Sequence, residues 1–409
     1  MRILFLTQWY QPEPATLHQE LAQTLIARGH EVTVLTGFPN YPSGELYPGY
    51  RIRPLQREVL DGVPVARVPL YPDHSRSGLL RIANYLSFAL SAGMLGAGVV
   101  RRPDVIFVYH PPLTIGLPAI FLSRLWRVPF VYQIQDLWPD TLKATGMVHS
   151  DRALQAVDWL AKIIYKEAAA IPVISHGFAE RLRERGVPAH KLHVISNWVD
   201  QDLYHPEEPD SNLSEQLGLA GRFNVMFAGN MGAAQHLETV IDAAKILETV
   251  PQIQFVFVGD GVAQEDLKTR SQEYGLSNVR FLGRYPSQDM NKLYALADVL
   301  LVHLKNDPLF EITVPHKIFA YMAVGKPILC AVNGEASQTV LNTGAGIVCK
   351  PQSPDKLAKA TLELYNAPPE YRAGMGSCGL QAAQTLYSRD LCVGQLEAVL
   401  CAVTADRVK

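Results

Sequence analysis

Short apolar runs alternate with amphipathic stretches along most of this chain. The apolar runs have the length of buried strands, and in the first half they cover residues 3–6, 32–35, 63–70, 105–108, 130–134, 171–174 and 192–195. A helix is predicted to begin near Thr16, because Leu17, Leu21 and Leu25 recur at helical spacing and Thr16 and Gln19 have the spacing of a capping box. This alternation predicts βαβ units and parallel sheets.

The same alternation restarts in the second half, with strands predicted at residues 224–228, 255–258, 279–282, 299–304, 327–332 and 346–349. The polar residues 200–214, which include Pro206 and Pro209, predict a linker. We therefore expect an α/β protein with two Rossmann-like, doubly wound domains at residues 1–199 and 215–385. A C-terminal helix at 386–409 is expected to pack back toward the first domain. Ligands bind such sheets at the carboxyl ends of the strands, so two facing domains would form a cleft.

One segment is apolar enough to be considered as a membrane span. Residues 82–100 contain no charge and are flanked by Arg81 and by Arg101 and Arg102, which meets the length rule for a membrane span. Asn84 and three glycines within the segment favour a helix packed on a sheet over a membrane span. Contact of one end of this helix with lipid stays open.

Charge and cysteine content exclude several classes of protein. The 409 residues carry a net charge of −2, which is too balanced for a protein that binds nucleic acid through phosphate neutralisation. Residues 1–200 contain 20 Lys and Arg against 16 Asp and Glu, whereas the remainder contains 17 against 23, so the halves are expected to face different partners. The five cysteines lack CxxC spacing, which is typical of reduced thiols in a cytosolic protein and predicts no metal site.

Two glycine-containing loops follow predicted strands of the second half. The first contains Gly229, Asn230, Met231, Gly232 and Gln235, and the second contains Gly259, Asp260 and Gly261. Small residues at a strand end let backbone N–H groups approach a phosphate, although tight packing turns have the same pattern. Neither loop is a GxGxxG or Walker motif, so the two together indicate a nucleotide without specifying a dinucleotide.

Other candidate residues also lie at predicted strand or helix ends. Pro315 is predicted to begin a helix, which places Lys317 in a first turn, where a cation is disfavoured unless an anion shares the site. In the first half, Asp136, Trp138 and Asp140 follow one strand and His110 ends another. A carboxylate beside an aromatic ring can orient sugar hydroxyls, whereas loop and cap roles are the structural alternative.

Taken together, these motifs resemble the family 4 glycosyltransferases with a GT-B fold, and within them the bacterial O-antigen and capsule branch of WbuB-type fucosaminyltransferases. The motifs that carry the resemblance, in chain order, are Arg28–Gly37, Pro39–Pro42, Asp136–Pro139, Asn197–Asp200, Gly229–Gly232 and Pro315–Pro327. The resemblance implies transfer of a sugar from a nucleotide donor, UDP-linked, to an acceptor held by the N-terminal domain, with retention.

The resemblance also implies roles for individual residues. Catalysis is expected from Lys317 and, by their position at strand ends, from Asp136 and His110. The resemblance assigns donor binding to Gly229, Asn230, Met231, Gly232, Gln235, Gly259, Asp260, Gly261, His316, Lys317 and Glu335. It assigns acceptor binding to Gln8, Tyr10, Tyr41, Trp138 and Asp140. No metal and no cofactor are expected beyond the nucleotide sugar, because Lys317 would neutralise the leaving diphosphate.

Three features depart from the family pattern, and one is that the first C-terminal loop has Asn230 and Gln235 where many members have basic residues. Many members carry a Glu-x7-Glu pair whose second acid binds the donor ribose, and this chain has Ala320 there, with Glu311 and Glu335 as possible substitutes. The His-Asp pair common after the N-terminal strand is Gln135-Asp136 here. A nucleotide-sugar epimerase or hydrolase, or a non-catalytic binding protein, therefore stays open as an alternative with the same fold.

The acceptor implied by this branch is a lipid-diphosphate-linked glycan at the inner membrane surface. Arg76, Arg81, Arg101 and Arg102 bracket the apolar segment and would suit an anionic surface, although exposed arginines of a soluble protein are the alternative. The expected location is cytoplasmic, with peripheral attachment to the inner face of the plasma membrane.

Overall fold

The computed structural model describes residues 1–74, 78–148 and 150–405, so Arg76 lies outside the described residues. The chain divides into two compact units. Unit 1 comprises Met1–Ile195 and the segment from Val393 onward, and unit 2 comprises Ser196–Cys392. The sequence placed a linker at residues 200–214, whereas the unit boundary lies at Ile195 and helix Ser211–Leu217 begins inside the predicted linker.

Unit 1 is built on an eight-stranded sheet. Its strands are β1 (Arg2–Leu6), β2 (Glu31–Gly37), β3 (Gln56–Leu60), β4 (Val63–Val68), β5 (Val105–His110), β6 (Phe130–Ile134), β7 (Ile171–Val173) and β8 (Leu192–Val194). They lie in the order β3-β4-β2-β1-β5-β6-β7-β8, and all neighbours are parallel except β3 and β4. The strand order reverses between β1 and β5, so the loops after these two strands flank the switch point where doubly wound sheets bind ligands.

The helices of unit 1 cover this sheet. They are α1 (Thr16–Ala27), α2 (Gly78–Val99), α3 (Gly116–Trp126), α4 (Asp140–Ala144), α5 (Asp151–Glu167) and α6 (His176–Glu184). Every residue of β5 and β6 is buried, as expected for central strands covered on both faces. The capping box predicted for α1 is wrong, because the N-cap is Ala15 and the Gln19 amide donates to the carbonyl of Leu60 instead.

Unit 2 is built on a six-stranded parallel sheet in the order β11-β10-β9-β12-β13-β14. In chain order its elements are α7 (Ser211–Leu217), β9 (Phe223–Ala228), α8 (Glu238–Ile246), β10 (Ile253–Val258), α9 (Gln264–Glu273), β11 (Val279–Gly283), α10 (Met290–Ala295), β12 (Val299–His303), α11 (Pro308–Glu311), α12 (Lys317–Ala323), β13 (Ile328–Ala331), α13 (Glu335–Thr343), β14 (Gly346–Val348), α14 (Pro354–Asn366) and α15 (Pro369–Thr385). Here the switch point lies between β9 and β12, so the loop that begins at Gly229 flanks it.

The last helix, α16 (Arg389–Ala405), extends from the end of unit 2 into unit 1. Within unit 1, the carboxylate of Glu397 accepts hydrogen bonds from the Arg28 guanidinium and the His30 ring, each at 2.7 Å. These two contacts lower the pKa of Glu397. The segment from Val393 is therefore fixed to the end of α1.

Among the described residues, α2 is the one helix that is long and apolar enough to cross a membrane. Its inner face is attached to unit 1 by polar contacts. The buried Asn84 accepts from the Gln8 amide at 2.6 Å and donates to the carbonyl of Tyr71 at 2.7 Å, and the Ser91 hydroxyl donates to the carbonyl of Pro69. The helix therefore packs on the sheet, as the polar residues of the segment predicted.

Replacing Asn84 tests this attachment. Asn84→Ala leaves the buried Gln8 amide without its acceptor, so the free energy of unfolding of unit 1 should fall by about 2–3 kcal/mol. The control Gln23→Ala removes a single exposed hydrogen bond to the carbonyl of Asp61 and should cost less than about 0.5 kcal/mol. Urea unfolding followed by tryptophan fluorescence measures both, and equal costs would contradict the attachment.

Candidate functional site

The two glycine loops of unit 2 pack backbone against backbone. The Met231 N–H donates to the carbonyl of Asp260 at 2.7 Å, and the Gly229 N–H donates to that of Val258 at 2.9 Å. A Cβ built on Gly259, whose φ is +123°, would lie 2.1 Å from the Gly229 carbonyl oxygen. Glycine is therefore required at Gly259 by packing, whether or not a ligand binds there.

Lys317 places an ammonium group beside the first of these loops. It is the first residue of α12, and its Nζ donates to the carbonyl of Ala228 at 2.8 Å and lies 3.9 Å from the centre of the Phe227 ring. A Cβ built on Gly229 would lie 3.0 Å from Nζ, so the absence of a side chain at Gly229 leaves room for the ammonium.

The charge of Lys317 is poorly compensated. Burial lowers the pKa of the ammonium to about 7, and no charged partner of it is present among the described residues. One turn along α12, the Tyr321 hydroxyl accepts from the Ala228 N–H at 3.1 Å, which fixes the helix to the end of β9. An anion that enters here would meet a cation whose position is fixed by contacts to the end of β9.

The remaining predicted donor residues of the first loop have different environments. Asn230 is exposed, whereas the Met231 side chain is fully buried in the core of unit 2 and cannot contact a ligand. The Gly232 N–H donates to the Gln235 side chain at 3.1 Å, so Gln235 occupies one of the N–H groups predicted to hold a phosphate. Helix α8 begins only at Glu238, so the glycines of this loop do not lead directly into a helix.

The other predicted donor residues lie on neighbouring loops. The exposed Asp260 carboxylate lies 3.7 Å from the Arg284 guanidinium. The His316 ring donates to the carbonyl of Trp198 at 2.8 Å, and burial lowers the pKa of the ring. Glu335 is the first residue of α13 and is half-buried.

Ala320, one of the residues that depart from the family pattern, is part of the core. Ala320 is 4% exposed and lies on the inner face of α12, so it makes no contribution to a ribose site. Gly334 packs on the backbone of Glu311, where a Cβ would lie 1.9 Å from the Glu311 carbonyl oxygen. The segments that carry Glu311 and Glu335 are therefore adjacent, and both residues stay candidates for the ribose contact.

In unit 1, aromatic rings form a continuous row beside the switch point. Trp9, in the loop after β1, stacks on Tyr41 with ring centres 4.9 Å apart and lies 6.5 Å from Tyr85 of α2. Tyr85 lies 6.3 Å from Trp138, which contacts His110 at 5.5 Å. We call these five residues the aromatic row. It brings together three of the predicted site residues, Tyr41, Trp138 and His110.

His110 and Asp136 lie at the ends of neighbouring strands. The His110 ring is buried, and neither of its nitrogens has a hydrogen-bond partner in the described residues. Burial lowers the pKa of His110 to about 3 and raises that of Asp136 to about 6. At neutral pH the imidazole is therefore uncharged and the carboxyl is largely ionised, which makes Asp136 the stronger candidate for contact with a cationic or hydroxyl group.

Three predicted acceptor residues do not face a ligand. Gln8 and Tyr10 are fully buried, and the Gln8 amide holds Asn84. The Asp140 carboxylate is half-buried and forms a salt bridge with Arg185, so a ligand would have to compete with this contact. The sequence pattern predicts candidate loops, and burial decides which side chains of each loop face outward.

The sequence analysis missed Trp9, Tyr85 and Glu13. The Glu13 carboxylate accepts from the N–H groups of Tyr10, Asn40 and Tyr41 at 2.8–2.9 Å, and burial raises its pKa to about 7 despite these bonds. Glu13 thereby ties the loop after β1 to the loop after β2 and positions Tyr41. Its signal in the sequence was an acid between two prolines, Pro12 and Pro14, in the loop after the first predicted strand.

Comparison with known families covers most of the chain. Residues 14–198 match the family described as "Glycosyl transferase 4-like domain", and residues 210–379 match "Glycosyl transferases group 1". The putative colanic acid biosynthesis glycosyl transferase WcaI of Escherichia coli K12 is 29% identical over 80% of this chain and 82% of its own. The probable glycosyltransferase WbjE of Pseudomonas aeruginosa is 28% identical over 64% of this chain and 66% of its own.

Solved structures share the architecture. Anabaena HepE, in complex with UDP and glucose, superposes with a TM-score of 0.73 at 20% identity and covers 98% of this chain and 99% of its own. WaaG, a glycosyltransferase involved in lipopolysaccharide biosynthesis, gives 0.66 at 16% identity over 94% and 96%. The two parallel-sheet units thus define an enzyme of the GT-B glycosyltransferase class. The chain belongs to the family 4 glycosyltransferases.

The packing of the glycine loops gives a direct prediction. Gly259→Ala introduces both a strained φ and a clash with the Gly229 backbone, so it should lower the free energy of unfolding of unit 2 by at least about 2 kcal/mol. The control Gly275→Ala has φ +65° with open space around its Cβ and should cost about 1 kcal/mol. Urea titration compares the two variants, and a tolerated Gly259→Ala would show that the loops do not interlock.

Proposed function

We propose that this enzyme transfers a sugar from a UDP-sugar to a lipid-diphosphate-linked glycan during the synthesis of a surface polysaccharide. The observation that carries the proposal is the Lys317 ammonium, buried beside Gly229 at the switch point of unit 2. The solved structures of Anabaena HepE contain UDP, UDP-glucose, or UDP with glucose, which supports a uridine donor. The relative WcaI, named for colanic acid biosynthesis, supports a role in polysaccharide assembly.

Sugar transfer from such a donor develops negative charge on the leaving diphosphate. The bond from the anomeric carbon to the diphosphate oxygen breaks, a bond from the acceptor oxygen to that carbon forms, and the proton of the acceptor hydroxyl passes to the released diphosphate. Fixed positive charge stabilises the leaving group most when it is oriented beforehand in a region of low dielectric. Lys317, held by Ala228 and Phe227, supplies such a charge. We therefore propose that the protein and not a metal ion neutralises the diphosphate.

The aromatic row of unit 1 is the proposed acceptor site. Sugars stack their apolar faces on aromatic rings, and the row offers Trp9, Tyr41, Tyr85 and Trp138 at the switch point. Burial raises the pKa of Tyr85 and lowers that of His74, and the positive charge of Arg81, one turn before Tyr85 on α2, acts on both groups. A cation therefore stands beside the row for an acceptor phosphate. Asp136 is proposed to contact the acceptor hydroxyl.

The finer assignments rest on the resemblance of the sequence motifs to the O-antigen and capsule branch. We propose an N-acetylated deoxyhexosamine as the donor sugar and retention of its anomeric configuration. We propose a cytoplasmic enzyme at the inner face of the plasma membrane, where lipid-linked acceptors are available.

A donor screen tests the proposal. The purified protein is incubated with a panel of UDP- and GDP-sugars and a lipid-diphosphate-linked sugar, with and without EDTA, while UDP release and glycolipid mass are followed. Acceptor-dependent UDP release that persists in EDTA is expected. Release without acceptor would instead support a hydrolase or epimerase, and loss of turnover in EDTA would contradict a metal-independent reaction.

Lys317, at the start of α12, and Lys326, in the loop between α12 and β13, give a matched pair of variants. Lys317→Ala should lower kcat by about 100-fold or more, because one fixed donor at the developing charge is lost. Lys326 also donates to a backbone carbonyl, that of Ala295 at 2.8 Å, but it lies away from the glycine loops, so Lys326→Ala should change kcat less than threefold. Similar losses in both variants would assign Lys317 a structural role.

The affinity for UDP should depend on pH. The Lys317 ammonium has a pKa of about 7 in the free enzyme, and a bound diphosphate favours the charged form and raises it. The affinity should therefore be constant below pH 7 and fall as the pH rises from 7 to 9, with proton uptake on binding. Titration calorimetry in buffers of different ionisation enthalpy measures this, and Lys317→Arg should abolish the dependence in that range.

A further inference from the structure

Two helices of unit 1 expose rows of large apolar side chains. On α2 the row consists of Ile82, Leu86, Leu90 and Met94, which are 46–70% exposed, and on α3 it consists of Leu117, Phe121 and Leu125, which are 39–53% exposed. We call these seven side chains the apolar strip. A spacing of four residues places each row along one side of its helix.

The two rows form one surface because α2 and α3 pack against each other. A Cβ built on Gly93 of α2 would lie 3.8 Å from the Pro118 Cβ and 3.9 Å from the Phe121 ring. Leu90 of α2 and Leu117 of α3 line the same shallow groove. Single exposed apolar side chains are common on soluble proteins, whereas a contiguous apolar surface marks an interaction site.

The charges around the strip select the kind of partner. Residues 78–127 contain five arginines and a single acid, Asp104, whose carboxylate accepts from the Arg2 backbone N–H at 2.7 Å. Arg101 and Arg102 are exposed just beyond the end of α2, and Arg127 is exposed just beyond α3. A symmetric partner copy would bring these like charges together, whereas an anionic lipid surface would neutralise them.

The contacts on the inner face of α2 determine how the helix could meet a bilayer. The helix has 22 residues and would be about 33 Å long, enough to cross the hydrocarbon core. Crossing would break the hydrogen bonds of Asn84 and Ser91 to unit 1. The helix can therefore contribute only its outer face, as helices that lie in the plane of the interface do.

We propose that the apolar strip inserts into one leaflet of an anionic lipid bilayer, with α2 lying in the plane of the interface. This membrane contact adds a lipid partner to the function proposed above, and its role in sugar transfer rests on that function. Tyr85, on the inner side of α2, belongs to the aromatic row, so the helix that contacts lipid also borders the proposed acceptor site. An acceptor anchored in the bilayer would then present its sugar beside this row.

Vesicle flotation of the full-length protein tests the proposal without donor or acceptor. We expect binding to vesicles of phosphatidylcholine with 30% phosphatidylglycerol. The triple variant Leu86→Ser, Leu90→Ser and Phe121→Ser should reduce the partition coefficient at least tenfold. The control variant Val262→Ser, Leu341→Ser and Leu386→Ser removes three equally exposed apolar side chains of unit 2 and should bind like the parent protein.

The charge requirement is tested separately. Arg101→Gln with Arg102→Gln should weaken binding to the anionic vesicles about 30-fold, since each basic residue near an anionic surface contributes about 1 kcal/mol. Binding of this variant to pure phosphatidylcholine should be unchanged.

Other outcomes would overturn the proposal. Absence of vesicle binding would do so, as would equal losses in the two triple variants. A dimer in sedimentation that the strip variant alone converts to a monomer, without vesicle binding, would assign the strip to a second copy of the chain. Turnover on a short-chain, water-soluble acceptor distinguishes these results from failure of the proposed function, because it needs no membrane.

Discussion

Unit 2 holds the ammonium of Lys317 in a position that is unfavourable in free energy for a positive charge. A lysine at the first position of a helix opposes the helix dipole, and burial lowers its pKa to about 7. The contacts that offset this cost are a backbone carbonyl and an aromatic ring at the end of β9. The glycine at position 229 leaves the space that the ammonium occupies, and the second loop fits because Gly259 has no side chain. An anionic group that shares the site would offset this cost, because it would pair with the buried ammonium.

In unit 1, as in unit 2, buried polar contacts hold the candidate site in place. Its switch point carries rings in place of a charge, and buried polar groups hold the loops that present them. Glu13 fixes the loop of Tyr41, and Asn84 fixes the helix of Tyr85. Because α2 has an inner face that packs on the sheet and an outer face that is apolar and exposed, one helix can link a sugar-binding surface to a lipid surface. This division of labour between the units suits the transfer proposed above, from a nucleotide-sugar donor to a lipid-linked acceptor.

Most of the strands could be predicted from the sequence because buried parallel strands are continuous apolar runs. β3 was missed because alternate residues of this antiparallel edge strand are exposed and its sequence is largely polar. The candidate loops were also predictable, since glycines and polar residues at strand ends are local signals. Which side chain of a loop faces outward depends on distant packing, so Gln8 and Met231 were assigned to ligands although both are buried. Tyr85 was missed because it lies within an apolar segment and meets Trp9 only in the folded chain.

The most direct test of the account is the pKa of Lys317 itself, measured by NMR of the lysine side chains with and without UDP. Lys317→Arg identifies the resonance, and Lys326 serves as the internal reference. We predict a pKa near 7 in the free protein. Saturation with UDP should raise it by about two units or more, with no comparable change at Lys326. A Lys317 pKa that does not respond to UDP would contradict the assignment of the diphosphate to this site.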